Sequence, residues 1–523
     1  MRKDLLDRIS YEGLVGFANK IYEKLWINRR RFSQKKRNQS EETAIEQEIP
    51  ECKISSNENS ADLYDGCSND TVGAISADAK KGAETDTANN TIEINQKTVI
   101  LFLTHYFFPE RSGGTERFVY QMAKQHIRSG KRVHVLTLGQ KPENWYHKKI
   151  GSIFYREYEY EGIAVTEIRY EKMPLGLYYN RISDDLRQEE FAKQFLDRLK
   201  PDFVHAAYPQ PYYPFLQVCN RLNIEYGVTL TDFALFCHYT MYIDKKGEVC
   251  PGSQCGKRCK RICKTYGVAD YEERYRNACK IIKNAKFVAA PSEYVKRRVG
   301  MQVCVIPHGV SDVFIRADKI SGEMDSFLFV GTLIDIKGAD LLMRAFAGLQ
   351  KGRLLIVGKG NPVYEKKLKK LAGQIDSNGE RIQFAETVEP EKMSRLYREA
   401  GCVVIPSFFP ETYSYVLSEA LASGCYVIVS DKGAMPQRLG ECIRKKDSEP
   451  FAVHRYGMVV ANLNEESWTN ALSYYLENAK ELINYGKTSV VQSVMTVENE
   501  FVQYEKLRIG NIDKWLIDQK AAE

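Results

Sequence analysis

The sequence predicts an α/β protein built from two Rossmann-like, doubly wound domains. Two observations support this class. Short apolar, β-branched runs alternate with helical segments from residue 97 onward, which is typical of parallel sheets covered by helices on both faces. The alternation occurs in two successive series, the second beginning at SFLFVGT. A ligand is therefore expected in a cleft between two domains, at the carboxyl ends of their strands.

The chain before this alternation has two different compositions. Residues 1–40 hold 11 Lys or Arg against 4 acids, and apolar residues recur there at spacings near three and four. This pattern predicts a basic amphipathic helix, and residues 1–38 are expected to lie on an anionic membrane surface. A helix that binds a partner or a second copy is the alternative. Residues 41–96 are polar and acidic and predict a disordered linker.

The first domain is expected over residues 97–315. TVILFLT, TERFVYQMAKQHIRSG and RVHVLTL predict a strand, a helix and a strand. FVHAAY, YGVTLTD, KFVAAPS and VCVIPHGV continue the strands. The second domain is expected over residues 316–490, with strands at SFLFVGT, RLLIVGKG, RIQFAE, CVVIPS and CYVIVSD. Residues 491–523 predict a helical tail that packs back on the first domain.

Composition narrows the class of protein. Hydrophobic residues make up 43% and charged residues 27% of the chain, which is ordinary for a globular protein. No apolar run approaches the roughly 18 residues of a membrane span, and the start MRKDLLDRISYEGL lacks the apolar core of a signal peptide. These features predict a cytoplasmic protein. The mildly basic body without a nucleic-acid motif favours small anionic ligands or a membrane surface over nucleic acid.

Two glutamates follow the strand CVVIPS, within the stretch PETYSYVLSE. Glu411 comes directly after the strand, and Glu419 lies on a helix expected to begin near Ser414. Glu411 is therefore expected at the ligand-facing edge of the sheet. Taken alone, Glu411 is also compatible with an ordinary helix-start acid, and Glu419 with a solvated surface residue.

Other unusual residues follow strands in both domains. Gly113 and Gly114 precede a helix, where backbone N–H groups are able to approach an anion. Lys337 stands at a helix start, where the helix dipole disfavours a cation, and this is a hint of function. A surface lysine that reaches into water is the alternative. Gly358 lies in a tight turn after RLLIV.

The ordered stretches FFPERSGGTER, VIPHGV, FVGTLIDIKG, IVGKGNP and ETYSYVLSEALASGCYVIVSD resemble the retaining glycosyltransferases of family 4, also called glycosyl transferases group 1. Members of this family have the two-domain GT-B fold. The last stretch resembles the family's motif of two glutamates separated by seven residues. The resemblance covers about residues 97–440 and implies that the second domain binds a nucleotide diphosphate sugar.

The resemblance also implies roles for individual residues. Lys337 and Glu411 would be catalytic, with Lys337 neutralising the leaving diphosphate and Glu411 facing the sugar. Glu419 would bind the ribose hydroxyls. No cofactor is required for catalysis in this reading, and no side-chain nucleophile is assigned. The full set of implied donor-binding residues is Gly113, Gly114, Thr332, Lys337, Gly358, Val388, Tyr413, Ser414, Tyr415 and Glu419.

The implied reaction transfers a sugar to a glycan or lipid-linked acceptor in cell-surface polysaccharide synthesis, at the inner face of the membrane. Two departures from the family pattern bear on it. Thr332 stands where the family usually has Arg, five residues before Lys337, and Thr231 stands where it often has His before Asp. A non-catalytic GT-B partner subunit and a sugar-nucleotide epimerase of the same fold are the alternatives.

A cysteine-rich insertion is expected over residues 237–263. Stable disulfides are uncommon in a cytoplasmic chain, and four thiolates are able to hold a zinc ion or an iron–sulfur cluster. We therefore expect a structural zinc ion, with free thiols as the alternative. Its ligands would be four of Cys237, Cys250, Cys255, Cys259 and Cys263.

Overall fold

The computed structural model of this chain describes residues 98–510, apart from residues 112, 140, 172–181, 245–247, 264–269, 316–322, 387 and 487–493. The helix and the linker predicted before residue 97 lie outside the described residues.

The first domain contains a nine-stranded sheet. Its strands are β1 (Val99–Leu103), β2 (Arg132–Leu138), β3 (Lys148–Ile150), β4 (Ile153–Tyr160), β5 (Ile163–Tyr170), β6 (Phe203–Ala206), β7 (Tyr226–Thr229), β8 (Phe287–Ala290) and β9 (Cys304–Val305). Its helices are α1 (Gly114–Arg128), α2 (Leu186–Leu199), α3 (Tyr213–Arg221), α4 (Tyr271–Lys283) and α5 (Glu293–Val299).

These strands are arranged in the order β3-β4-β5-β2-β1-β6-β7-β8-β9. Strand β1 is central and fully buried, and it pairs in parallel with β2 and β6. At one edge of the sheet, β4 pairs antiparallel with both β3 and β5. Because β1, β6 and β7 are parallel neighbours, the residues that follow them meet at one edge of the sheet.

The second domain contains an eight-stranded sheet. Its strands are β10 (Glu323–Val330), β11 (Arg353–Val357), β12 (Ile382–Ala385), β13 (Ala400–Ile405), β14 (Tyr426–Ser430), β15 (Cys442–Lys445), β16 (Phe451–His454) and β17 (Gly457–Val460). Its helices are α6 (Ala339–Ala347), α7 (Pro362–Ile375), α8 (Pro390–Glu399), α9 (Tyr415–Ala422) and α10 (Glu465–Gly486).

This sheet has the order β12-β11-β10-β13-β14-β17-β16-β15. Strands β10 and β13 pair in parallel at its centre, and only β15 and β16 add antiparallel pairs at one edge. Apolar residues from α6, α7 and α10 cover one face, and residues from α8 and α9 cover the other. The predicted α/β class with two doubly wound domains is confirmed.

The last described helix, α11 (Val497–Ile509), lies against the first domain although it follows the second. Its Glu500 carboxylate is fully buried and accepts hydrogen bonds from the Gly309 N–H at 2.8 Å and from the His308 ring nitrogen at 2.9 Å. Tyr504 packs with Phe118 of α1 in the first domain's core. The helix therefore completes that core from the end of the chain.

Within the described ranges, the helices are all too short or too polar to cross a bilayer.

Candidate active site

Lys337 and Glu411 meet at the carboxyl ends of the two central strands of the second sheet. Lys337 ends the short 3-10 turn Asp335–Lys337 after β10, and Glu411 follows β13. The Lys337 Nζ lies 2.7 Å from Glu411 Oε1, and the Ser407 hydroxyl donates to the same oxygen at 2.8 Å. The Lys337 ammonium lies 4.5 Å from the centre of the Phe409 ring, and 25% of the Lys337 side chain is exposed. A cation and a carboxylate are thus held together beside open space.

Glu419 lies eight residues further on, on α9, and is buried. Its Oε2 accepts a hydrogen bond from the Tyr397 hydroxyl at 2.8 Å. Its Oε1 forms an ion pair with Arg117 of α1, in the other domain. The alternative that Glu419 is a solvated surface residue is therefore wrong, because the first domain covers the polar side of α9.

Arg117 was not singled out in the sequence, although it directly follows the Gly-Gly-Thr-Glu stretch. Its guanidinium lies 4.6 Å from the centre of the Tyr415 ring. Burial lowers the pKa of Arg117, but the Glu419 carboxylate outweighs that effect and the pKa ends above its ordinary value. The ion pair therefore bridges the cleft at the carboxylate that the family resemblance assigns to ribose.

The two glycines before α1 face this site from the first domain. A Cβ on Gly114 would lie 3.8 Å from the Tyr415 ring, so α1 begins directly opposite the start of α9. The Gly113 N–H donates to the Glu116 carboxylate at 2.7 Å, which caps its own helix. An anion that approaches Gly113 must therefore compete with Glu116.

The loop from Glu411 to Ser414 makes further direct contacts between the domains. The Thr412 hydroxyl donates to the Thr231 carbonyl at 2.9 Å, and Ser292 donates to the Thr412 carbonyl at 2.7 Å. The Tyr413 hydroxyl donates to the His308 carbonyl at 2.8 Å. Ser414 has a left-handed backbone with φ +72° and caps α9. Tyr413, Ser414 and Tyr415 therefore lie at the cleft.

The remaining donor-site candidates follow the neighbouring strands of the second sheet. Thr332 is exposed after β10. Gly358 follows β11, and a Cβ there would lie 2.0 Å from the Gly331 carbonyl oxygen, so only glycine allows this close approach. Val388 follows β12 and packs against the apolar cluster beneath α8 and α9. All three lie along one edge of the sheet.

Titratable groups collect on the first domain's side, after β1 and β7. The His105 ring nitrogen lies 3.5 Å from the Glu116 carboxylate, and the ring stacks on Tyr208 with 3.8 Å between centroids. Burial lowers the pKa of His105 to about 3. Burial also raises the pKa of Asp232 to about 7. Asp232 is therefore a carboxyl that changes protonation near neutral pH in this cluster.

Four of the five clustered cysteines line one small cavity together with His238. These are Cys237, Cys250, Cys259 and Cys263, whereas Cys255 stands outside the cavity wall, in a neighbouring turn. Burial raises the pKa of Cys237 to about 11 and that of Cys259 to about 12. Over the described residues, three or more His, Cys, Asp or Glu side chains are nowhere arranged as a ready ligand set.

A structural zinc ion at these thiols stays a prediction. Binding would require the thiols to lose their protons and to draw closer together. Metal analysis of untagged protein purified without oxygen is expected to find about one zinc ion per chain. Substitution of Cys259 by serine should release it, while Cys442→Ser, at an exposed thiol, should not. Metal-free protein in which all four thiols react in the native state would contradict the prediction.

Comparisons with known proteins agree with this geometry. Residues 112–313 match the family described as Glycosyltransferase Family 4, and residues 325–478 match the family described as Glycosyl transferases group 1. The chain is 28% identical over 211 residues to D-inositol 3-phosphate glycosyltransferase of Mycobacteroides abscessus, covering 38% of this chain and 44% of that protein. It is 29% identical over 181 residues to lipopolysaccharide 1,2-N-acetylglucosaminetransferase of Salmonella typhimurium, covering 31% and 46%. The chain thus spans less than half the length of these curated relatives.

Solved structures show the same fold. Sucrose-phosphate synthase from Thermosynechococcus elongatus superposes with a TM-score of 0.56 at 17% identity, covering 82% of this chain and 100% of that one. The Anabaena protein HepE in complex with UDP and glucose superposes with a TM-score of 0.53 at 13% identity, covering 78% and 98%. The two family matches together span more than half of the chain. The chain therefore belongs to the family 4, group 1 glycosyltransferases and has the GT-B fold.

Proposed function

We propose that this protein is a retaining glycosyltransferase that moves a sugar from a nucleotide diphosphate sugar to a glycan or lipid-linked acceptor. The observation that carries the proposal is the convergence of Lys337, Glu411 and Glu419 at one edge of the second sheet, facing the start of α1. Relatives support the substrate class, because one is named for an inositol phosphate acceptor and one for lipopolysaccharide. A structural neighbour holds UDP and glucose.

The chemistry follows from the charges in the site. Breaking the bond between sugar and phosphate leaves an oxocarbenium-like centre and concentrates negative charge on the diphosphate. The Lys337 ammonium stabilises that charge, because it is positioned before the reaction and only partly solvated. The Glu411 carboxylate, 2.7 Å from Lys337 Nζ, orients the ammonium and faces the sugar. The leaving phosphate accepts the acceptor's proton on the same face, so the configuration at the anomeric carbon is retained.

A panel of UDP-, GDP-, ADP- and dTDP-sugars tests this proposal. One donor is expected to raise the melting temperature and to be hydrolysed slowly without acceptor. The sugar first released, observed by NMR, should have the anomeric configuration of the donor. Absence of binding to every member of the panel would contradict the proposed class of donor. Binding without hydrolysis would favour the partner-subunit alternative, and conversion of the sugar within the intact donor would favour an epimerase.

The acceptor and the location of the reaction are part of the same proposal. A lipid-linked or cell-surface acceptor requires the enzyme to work at a membrane, and the basic residues 1–38 provide an attachment. The full chain is expected to float together with vesicles that contain anionic lipid. It is not expected to float with neutral vesicles. Removal of residues 1–38 should abolish flotation. Equal flotation of both proteins would contradict membrane attachment through this segment.

A further inference from the structure

Arg438 lies behind the loop from Glu411 to Ser414, here called the donor loop, where it borders a crevice lined also by α5 and α11. It ends the short turn Pro436–Arg438 after β14. Its Nη1 donates to the carbonyl of Tyr413 at 2.7 Å and to that of Ser414 at 3.3 Å, and its Nη2 donates to the Ser418 hydroxyl at 2.5 Å. The guanidinium also stacks on the Tyr413 ring at 3.9 Å. One side chain therefore holds both ends of the turn that begins α9.

These contacts fix the direction of two peptide planes. In a trans peptide the C=O of one residue and the N–H of the next point in opposite directions. Because Arg438 holds the carbonyls of Tyr413 and Ser414 on its own side of the loop, the N–H groups of Ser414 and Tyr415 point to the opposite side of the loop, away from Arg438. Ser414 directly precedes α9 and Tyr415 is its first residue. N–H groups at these positions have no acceptor within the helix.

The segment before Arg438 supports the same orientation. The Ala434 N–H donates to the Glu411 carbonyl at 2.8 Å. Gly433, with φ +78°, lies so close to Glu411 that a Cβ would be 2.3 Å from its backbone N and O. The carbonyls of Glu411, Tyr413 and Ser414 are thus all held by residues 433–438.

Arg438 is also unusual in its charge. Burial lowers its pKa, and the neighbouring Tyr413 opposes that effect. In the part of the chain that the structure describes, no carboxylate lies within ion-pair distance of its guanidinium. A half-buried cation without a counter-ion carries part of the cost of an unpaired buried charge. A diphosphate on the cleft side of the same peptide planes would supply the missing negative charge.

We propose that Arg438 is a positioning residue for the donor diphosphate, which aims the N–H groups of Ser414 and Tyr415 at the phosphates and adds positive charge behind them. The inference rests on the proposed function, because it assumes that the diphosphate of the donor lies at this loop. The proposal also offers a replacement for the arginine that the family usually has at the position of Thr332. Arg438 would add a second positive charge to that of Lys337, from behind the loop.

Substitutions at Arg438 test this role with little risk to the fold. The guanidinium borders an open crevice between the domains, lined also by α5 and α11, so a shorter side chain leaves room for water. Arg438→Met removes the charge and the hydrogen bonds, and Arg438→Lys keeps the charge but reaches fewer acceptors. Ser418→Ala is a milder variant that removes one contact. Gln437→Met, an exposed residue of the same turn, is the matched control.

The measurement is the calorimetric affinity for UDP, GDP, ADP and dTDP and for the corresponding nucleosides. Arg438→Lys is expected to lower the affinity for the nucleoside diphosphate that the wild type binds by about tenfold, and Arg438→Met is expected to lower it further. Affinity for the nucleoside should stay unchanged, because the nucleoside has no phosphate. The diphosphate affinity of Ser418→Ala should lie between those of Arg438→Lys and the wild type. The diphosphate affinity of Gln437→Met should equal that of the wild type.

Three results would overturn the inference. Diphosphate binding in Arg438→Met that equals the wild type would show that the guanidinium does not act on the ligand. A loss of affinity that is equal for the nucleoside and for the nucleoside diphosphate would show a merely structural role. So would a diphosphate affinity of Arg438→Lys that is no higher than that of Arg438→Met. Failure of the wild type to bind UDP, GDP, ADP or dTDP would instead reject the proposed function, which the wild-type titration tests by itself.

Discussion

Replacing Lys337 with alanine is expected to lower turnover of the matched donor by about 100- to 1,000-fold. The negative charge on the diphosphate grows as the sugar leaves, so the ammonium contributes more in the transition state than in the ground state. Because the neighbouring position 332 is a threonine, it provides no cation that would replace the Lys337 ammonium beside the diphosphate. Steady-state rates with and without acceptor measure the effect, and affinity for the free nucleoside diphosphate should fall much less than turnover.

Two variants make this result interpretable. Lys351→Ala removes an exposed lysine at the opposite end of β11 and should leave turnover unchanged. Glu411→Gln keeps the size of the partner of Lys337 but removes its charge. It should lower turnover while leaving affinity for the nucleoside diphosphate, which lacks the sugar, nearly unchanged. Near-native turnover in both Lys337→Ala and Glu411→Gln would show that the reaction site lies elsewhere.

Glu419→Gln is expected to weaken ribonucleotide binding by about 10- to 100-fold, the cost of losing a charged hydrogen bond. A carboxylate accepts from both hydroxyls of a diol, whereas an amide has one acceptor oxygen. The wild type should therefore prefer a ribonucleotide over its 2′-deoxy form, and the variant should lose that preference. Titration of UDP, GDP or ADP against the deoxy form measures both effects.

The ion pair with Arg117 complicates a single substitution, because Glu419→Gln also leaves the Arg117 guanidinium without its partner. Arg117→Gln and the double variant complete a double-mutant cycle. If ribose replaces Arg117 at Glu419, Arg117→Gln should bind the nucleotide more tightly than the wild type. Glu441→Gln, at a carboxylate that is 73% exposed, is the control. Unchanged affinity and unchanged ribose preference in Glu419→Gln would reject the ribose assignment.

The sequence predicted the parts of the fold that repeat locally. Central strands such as β1 and β13 are continuous apolar runs, and these are readable from pattern alone. The hairpin of β4 and β5 was not predicted. Its strand IFYREYEY mixes aromatic and charged residues at a sheet edge, so it lacks the apolar run of a buried strand.

Single residues of the candidate site were predictable on both sides of the cleft, Gly113 and Gly114 among them, but the contacts across the cleft were not. Glu411 and Lys337 were identifiable because each follows a strand of the same sheet. The partner of Glu419 is 302 residues away in the chain, and Arg438 acts on backbone carbonyls that have no sequence signature. Contacts between domains depend on how two folded surfaces meet, and local periodicity contains no information about that.

The position of α11 has a consequence for how this protein is made. Val497, Tyr504 and Leu507 complete an apolar cluster whose other members come largely from the first domain. On the ribosome, the strands of that domain emerge long before the helix that covers them. Until synthesis reaches α11, the apolar face of α1 remains open to chaperones or to neighbouring nascent chains. A premature stop just before Val497 would therefore damage the domain that was translated first.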